Sequence, residues 1–403
     1  MHDNSKDYLA TTQRVLTRRG VVWLGQTCNL RCVFCYFRER IKMKDHPDHP
    51  FMSLEKAKSI CSTLRKVYYN NAVDIQGGEP TLFTDIIPLL EHCRDICLKP
   101  TLITNALELD GRELCRSLKH AGLRDLLISV HGLGSDYDRL SGVVGAHDRQ
   151  MVALENLKAC SIPFRFNCVL AKPVLQHLEN IARLAIDSGA RVLNFIAFNP
   201  FEDQQTKRRS NGIVPTYREI SGPLVAALDI LNECGIEANV RYFPLCMVPE
   251  NYRKHLYNFQ QLPYDLHEWD FASWSWSGES SQRRRDGHLQ ETITLRQANY
   301  RSLRYQKQGG YLQDPTISRV DEYRHSAIIR AQEHCGYQYG SVCGRCSLKR
   351  ICDGFHGDYV SLFSAEEAVP VEQDTTVDDP IHYIRHQTKI VEMDDANWVM
   401  KVP

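Results

Sequence analysis

From Val21 to Phe243 the chain alternates short runs of β-branched and aromatic residues with longer amphipathic stretches, as a parallel sheet wrapped by helices would require. About seven such β/α units can be traced. The predicted strands cover 21–27, 72–76, 101–105, 125–131, 164–170, 192–198 and 238–243. Between them, apolar residues recur at helical spacing over 54–69, 85–97, 112–121, 148–160, 175–188 and 217–234. Ser53 is placed to cap the first helix, and Gly122, Gly189 and Gly235 fall just past the ends of three others. The regularity favours a full or partial β/α barrel over a doubly wound sheet.

After about Pro249 the rhythm breaks. The chain divides into an N-terminal segment (1–20), the barrel (21–245), an irregular insertion (246–310), a cysteine-rich block (311–363) and a tail (364–403). With 403 residues, 43% apolar and 24% charged, a sizeable core is available and a disordered or collagen-like chain is excluded. The 49 basic residues balance the 49 acidic ones, so no global field attracts a phosphate backbone, and no nucleic-acid partner is expected. No apolar run reaches signal-peptide or membrane-spanning length, which points to a cytoplasmic protein without a membrane partner. Fifteen cysteines in such a chain are read as ligands or catalysts rather than as a disulfide framework.

The strongest chemical signal is Cys28-Asn29-Leu30-Arg31-Cys32-Val33-Phe34-Cys35-Tyr36, directly after the first predicted strand. A [4Fe–4S] cluster takes four thiolates, so a loop offering three leaves one iron open to a small molecule. Zinc is the competing reading, but it prefers paired C-x2-C units that close a tetrahedron, and this loop has no adjacent fourth ligand. The loop also sits at the C-terminal end of a strand, where β/α barrels gather reactive groups.

This C-x3-C-x2-C run, with Phe34 and Tyr36 beside its last cysteine, resembles the radical S-adenosylmethionine (radical SAM) enzymes over roughly the first 245 residues. The resemblance implies a partial (β/α)6-type barrel in the α/β class. It further implies that Cys28, Cys32 and Cys35 hold a [4Fe–4S] cluster and that S-adenosylmethionine binds the open iron. Gly77-Gly78-Glu79-Pro80, after the second strand, looks like the family's motif for the methionine amino group. Tyr36, Asn105, Ser129 and Asn167 match positions of further cofactor contacts, with His131 beside them. Read alone, the Gly-Gly-Glu-Pro stretch is a turn, and Asn105 or Ser129 are capping residues. Neither a dinucleotide G-x-G-x-x-G turn nor a Walker loop is present. The implied chemistry is reductive cleavage of S-adenosylmethionine to a 5′-deoxyadenosyl radical, which takes hydrogen from a substrate.

A second block, Cys335-x7-Cys343-x2-Cys346-x5-Cys352-x3-His356, resembles the SPASM/twitch extensions that carry auxiliary iron–sulfur clusters. It departs from the full motif, which ends in cysteine where this chain has His356. One auxiliary [4Fe–4S] cluster is expected on Cys343, Cys346 and Cys352, with Cys246 as the favoured fourth ligand and Cys335 and His356 as rivals. A structural zinc site is the alternative. The remaining cysteines, Cys61, Cys93, Cys97, Cys115, Cys160, Cys168 and Cys234, mostly fall on helix or strand patterns and are read as core residues rather than ligands. Arg283-Arg284-Arg285, near Trp269 to Trp276, would cap the site or form a solvated loop, and Lys207-Arg208-Arg209 would form another basic run. Only about twenty residues precede the first strand, which favours a small-molecule substrate over a leader-bearing peptide. A peptide maturase remains the alternative, and a non-enzymatic iron–sulfur or zinc protein the alternative of another class. The expected electron donor is a flavodoxin or ferredoxin.

Overall fold

The computed structural model describes residues 8–12, 14–15, 19–35, 51–66, 70–197, 212–261, 275–276, 336–392 and 399–400. Seven strands lie side by side in chain order: β3 (Arg19–Trp23), β4 (Ala72–Gln76), β5 (Lys99–Thr104), β6 (Asp125–Ser129), β7 (Phe164–Leu170), β8 (Val192–Ala197) and β9 (Glu237–Arg241). Every pairing between them is parallel. Two-residue strands extend the sheet at each side, β10 (Leu256–Tyr257) beyond β9 and β11 (Ser275–Trp276) beyond β3. Among the described residues the two edges do not pair with each other, so the sheet is that of a partial barrel.

Six crossovers carry the helices α1 (Leu54–Lys66), α2 (Ile86–Asp95), α3 (Arg112–His120), α5 (Ala146–Ala159), α7 (Leu178–Ser188) and α8 (Tyr217–Glu233), with a single turn, α6 (Lys172–Leu175), ahead of α7. This is the partial (β/α)6-type barrel that the periodicity and the resemblance predict. Alternation along the strands explains how it packs. The outward residues Val22, Ile75, Leu102, Ile128, Phe166 and Phe195 are fully buried with Leu64, Leu89, Leu118 and Leu228 of the helices. Ser53 caps α1 as expected, accepting from Lys56 N at 3.3 Å. Gly122, Gly189 and Gly235 all take the left-handed conformation past their helix ends.

The inward face is charged at the N-terminal ends of the strands. Arg19 pairs with Asp74 at 2.7 Å and donates to Thr101 at 3.1 Å, while Thr101 donates to Asp125. Arg165 pairs with Asp125 at 2.7 Å. Burial is the largest influence on Asp125 and would raise its pKa, yet the guanidiniums of Arg165, Arg124 and Arg19 together hold the carboxyl well below its usual range. Removing one member of such a buried pair costs about 3–5 kcal/mol, because its partner is left charged and unpaired. The charged band therefore seals the floor of the barrel and leaves the C-terminal ends of the strands for chemistry.

Three features depart from the sequence expectation. An eight-residue helix, α4 (Gly134–Ser141), lies between β6 and α5. Its Asp138 carboxylate accepts from Gly145 N at 2.6 Å and His147 N at 2.9 Å, which starts α5 at Ala146 instead of residue 148. The sheet continues past residue 245 into β10. The tail also returns to the barrel. Its strand β12 (Lys389–Glu392) pairs antiparallel with β1 (Tyr8–Thr11), and Lys389 pairs with Glu237 at 2.5 Å with both side chains fully buried. The short strands β2 (Arg14–Val15) and β13 (Val399–Met400) pair likewise. No described helix is long and apolar enough to cross a membrane.

Candidate functional site

The main chain leaving β3 runs beside the turn that leaves β4. Gly78 N donates to Gly25 O at 2.8 Å and Glu79 N to Thr27 O at 2.7 Å. The contact is so close that a Cβ on Gly78 would stand 2.0 Å from Thr27 O, and one on Gly77 would stand 2.6 Å from Gly25 O. Gly77 and Gly78 are thus needed to seat the cysteine loop, whatever else approaches them.

Glu79 is buried and ties two strand ends together. Its Oε1 accepts from Thr81 N at 3.1 Å, Thr81 Oγ1 at 2.7 Å and Thr104 Oγ1 at 2.6 Å, while Oε2 accepts from Asn105 N at 2.7 Å. Burial, the dominant influence, raises its pKa against these hydrogen bonds. Asn105 carries the tie onward, donating from Nδ2 to Asn29 Oδ1 at 2.7 Å and standing 3.9 Å from Cys28 Sγ. Asn29 in turn donates to Glu108 at 3.1 Å. The side chains predicted to touch a cofactor therefore first build the loop that carries the cysteines.

Within that loop, Cys28 Sγ accepts from Leu30 N at 3.4 Å, and Cys35 N donates to Cys32 O at 3.1 Å. Burial pushes the Cys28 thiol up to about 11, with Glu79 and Cys35 adding to the rise. Arg31 N donates to Ser141 O at 2.7 Å and Val33 N to Leu140 O at 3.0 Å, so the loop docks on the end of α4. Leu30 fills a pocket of Leu107, Tyr137 and Ala146. Phe34 meets the His131 ring edge-on with centroids 4.6 Å apart. His131 Nδ1 accepts from Val169 N at 3.1 Å, and burial lowers its pKa to about 3, which keeps the ring neutral with its proton on Nε2. Tyr36, a predicted cofactor contact, lies outside the described residues.

Ser129 and Asn167 are register partners on β6 and β7 and both face inward. Ser129 is half-buried, and Asn167 Oδ1 is buried without a hydrogen-bond donor among the described residues. The register continues to Asn194 on β8 and Asn239 on β9, so one polar row crosses four strands. Sequence reasoning missed these last two, although an asparagine in the middle of the apolar strands VLNFIA and EANVR was the available signal.

At the barrel rim Cys246 lies on a single turn, Leu245–Met247, that follows β9. Cys343 and Cys352 are buried in the same core to which Cys246 and Cys346 pack. Two of the four sulfurs accept a main-chain N–H. The donors are Val371 N to Cys346 and Gly354 N to Cys352, each at 3.4 Å. Burial is the first cause of the raised thiol pKa at Cys246 (about 11), Cys343 and Cys352, and Cys246 adds to the rise at Cys352. His356, by contrast, caps the helix α9 (Gly357–Phe363), its Nδ1 accepting from Asp358 N at 3.1 Å. Cys335 lies outside the described residues, as do Arg283, Arg284, Arg285 and the 207–209 run. Tyr217 at the start of α8 anchors this module, stacking on Tyr359 with centroids 4.1 Å apart and donating from its main-chain N to Tyr359 Oη at 2.9 Å.

Among the described residues no three His, Cys, Asp or Glu side chains stand close enough to hold a single ion. A cubane makes a different demand, since it places each thiolate on a separate iron. Both cysteine sets fit that demand in donor chemistry, with N–H groups aimed at sulfur.

Residues 24–185 match the profile of the Radical SAM superfamily. The "Probable GTP 3′,8-cyclase" of Sulfurisphaera tokodaii is 28% identical over 44% of this chain and 55% of its own. The PqqA peptide cyclase of Bradyrhizobium diazoefficiens is 28% identical over 40% and 42%. The chain thus spans about half the length, or less, of the curated relatives it matches. Among solved structures, Streptococcus suis SuiB bound to precursor peptide SuiA is similar at TM-score 0.46 and 19% identity, over 56% of this chain and 49% of that one. Residues 24–185 thus carry the similarity to the radical SAM superfamily, and they span β4 to α7 together with the cysteine loop.

Proposed function

We propose that Cys28, Cys32 and Cys35 hold a [4Fe–4S] cluster at which the enzyme reductively cleaves S-adenosylmethionine and takes hydrogen from a substrate. The observation that carries this reading is the seating of the three-cysteine loop against Gly77, Gly78 and Glu79 at the C-terminal ends of the strands. When bound, such a cluster supplies one electron to the sulfonium and yields methionine and a 5′-deoxyadenosyl radical.

The chain's own residues do the rest by position. Leu30 N and Asn105 Nδ2 donate toward Cys28 and favour its thiolate. Glu79 fixes the strand ends, leaving the main chain of 77–79 as the surface next to the loop. Trp23, Gln76, Ile103, Ser129, Val169 and Ile196 face inward and are half-buried above the charged floor, so they line the space in which a radical would be kept from water. His131, neutral and proton-bearing at Nε2, offers a donor there without adding charge.

Cys246, Cys343, Cys346 and Cys352 are assigned to one auxiliary [4Fe–4S] cluster. The N–H···S contacts at Cys346 and Cys352 and the shared core of the four cysteines support this assignment, and the capping role of His356 argues for Cys246 as the fourth ligand. With four thiolates that cluster would have no open iron, so electron transfer or stapling of the module is its expected role.

The inward polar row of Ser129, Asn167 and Asn194 supports a small, hydrogen-bonding metabolite as substrate. The PqqA peptide cyclase relative supports a second reading, a peptide substrate. A flavodoxin or ferredoxin is the proposed reductant.

The test is anaerobic incubation of reconstituted protein with S-adenosylmethionine and dithionite. We expect methionine and 5′-deoxyadenosine in equal amounts, with about eight irons per chain. Product no higher than in a cluster-free control would overturn the proposal.

A further inference from the structure

On the outside of the barrel, α3 carries a cationic stripe. Arg112, Arg116 and Lys119 stand at i, i+4 and i+7 and so share a face, with His120 beside them. Together with Ala159 and Cys160 at the end of α5 they line an open cleft of about 390 Å³ between the two helices. Lys119 spans it, its Nζ donating to Cys160 O at 2.6 Å. The guanidiniums of Arg112 and Arg116 make no hydrogen bond or ion pair among the described residues, and no acidic residue lines the cleft. On the neighbouring helices Arg94, Arg139 and Arg149 each pair with a carboxylate. The helix dipole accounts for Lys119 and His120, which lie in the last turn of α3. It does not account for Arg112, which opens the helix where a cation is disfavoured, nor for a like charge one turn later.

The upper end of the stripe leads to the cysteine loop. Two residues before Arg112, Asp110 pairs with Arg149 at 2.6 Å. Arg149 also pairs with Glu108 at 3.3 Å, and Glu108 accepts from Asn29, the neighbour of Cys28. From there the nine-residue helix runs about 13 Å along the barrel wall. Val152, 46% exposed and two turns before Ala159 on the same face of α5, adds apolar surface beside the cations.

We infer that this face of α3 and α5 docks an acidic ferredoxin, which delivers the electron to the cluster of Cys28, Cys32 and Cys35. The inference rests on the S-adenosylmethionine reading, which requires a one-electron reductant. The ferredoxin is oxidised by one electron and the cluster is reduced by it, with no bond or proton transferred. An acidic carrier supplies the carboxylates that the two arginines lack, and a weak, charge-steered contact lets it leave after each electron.

The experiment compares pre-reduced plant-type [2Fe–2S] ferredoxin with dithionite as the electron source for anaerobic 5′-deoxyadenosine formation by the reconstituted full chain. Raising the salt from about 50 to about 300 mM should cut the ferredoxin-driven rate several-fold and leave the dithionite-driven rate unchanged. Arg112→Glu with Arg116→Glu should raise the half-saturating ferredoxin concentration at least about tenfold, and the milder Arg112→Gln with Arg116→Gln several-fold. Dithionite-driven formation at the wild-type level shows that these variants fold. Arg183→Glu with Arg218→Glu makes the same charge change at exposed sites of α7 and α8, and should leave the ferredoxin dependence within about twofold of wild type. The inference fails if both α3 pairs match wild type, or if the control pair weakens the response to ferredoxin as strongly. It fails equally if ferredoxin cannot drive a wild-type protein that responds to dithionite. If wild type forms no 5′-deoxyadenosine with dithionite, the S-adenosylmethionine reading itself fails.

Discussion

At the barrel mouth three thiols ride on one loop between β3 and α1, whereas at the rim four thiols come from two chain segments almost a hundred residues apart. The loop is held mainly by its neighbours. Gly25 and Thr27 receive the turn after β4, Leu30 sits in a side pocket, and Asn105 reaches in from β5. The rim cysteines pack into one core, and Cys346 and Cys352 each accept from a main-chain donor. A cubane on three thiols would leave a coordination corner for a small molecule, while one on four thiols would have none. On our reading the two sites divide the labour accordingly, with reaction at the first and support or electron transfer at the second.

The largest expected effect breaks the comparison in half. Cys32→Ala should bring 5′-deoxyadenosine formation to background and leave about four irons per chain, while Cys346→Ala should also leave about four irons yet retain cleavage of S-adenosylmethionine. Iron analysis and product quantification on the same preparations read both. Loss of cleavage in both variants would show that the second cluster is no mere support.

A glycine pair sharpens the contrast in how the loops are seated. Gly78→Ala puts a methyl group against the Thr27 carbonyl, where main chain must shift, and should destabilise the protein by about 1–3 kcal/mol. It should also weaken binding of S-adenosylmethionine. Gly344→Ala between the rim cysteines meets nothing within 4 Å and should change stability by less than about 0.5 kcal/mol. Urea unfolding of the two variants compares them directly.

These contrasts show where the sequence was informative. Period-two and helical spacing located all seven central strands, and 72–76 and 164–170 match their observed bounds because both faces of those strands are buried. The ends at Asn105 and His131 were drawn one to two residues long, since the polar residues there leave the ladder to support the cysteine loop. The helix α4 was missed because GSDYDRLS is short and carries only two apolar residues, Tyr137 and Leu140, and hydrogen bonding at Asp138 organises its junction with α5. Spacing singled out both cysteine motifs, and position after the last central strand singled out Cys246, which the structure packs into the same core as Cys343, Cys346 and Cys352. What spacing could not supply was the use of Glu79 as a tie between strands, the role of His356 as a helix cap, or the return of Lys389 into the barrel. Each of these depends on residues brought together from distant parts of the chain.

The support under the mouth should be pH-sensitive. His131 stays neutral in the fold with a pKa near 3, against about 6.5 when unfolded, so its contribution is present above pH 6.5 and is lost as pH falls toward 3. Between pH 6.5 and pH 5 the loss amounts to about 2 kcal/mol. His131→Asn, whose side-chain oxygen can still accept from Val169 N, should remove that part of the acid sensitivity in urea unfolding of cluster-free protein. An unchanged pH slope would mean that the ring becomes charged in place.

The smallest effect tests the boundary between ligand and core cysteines. Cys93 and Cys61 face each other across α2 and α1 at 3.6 Å, both fully buried among leucines and without the loop geometry of either cluster set. Burial without a nearby open face makes a thiol a small apolar filler. Cys93→Ala should therefore cost only about 1 kcal/mol of stability, through the small cavity it leaves, and should leave both iron content and S-adenosylmethionine cleavage at wild-type levels. Iron loss on this substitution would mean that the α1–α2 contact feeds into the position of the cysteine loop, because α1 follows that loop directly in the chain.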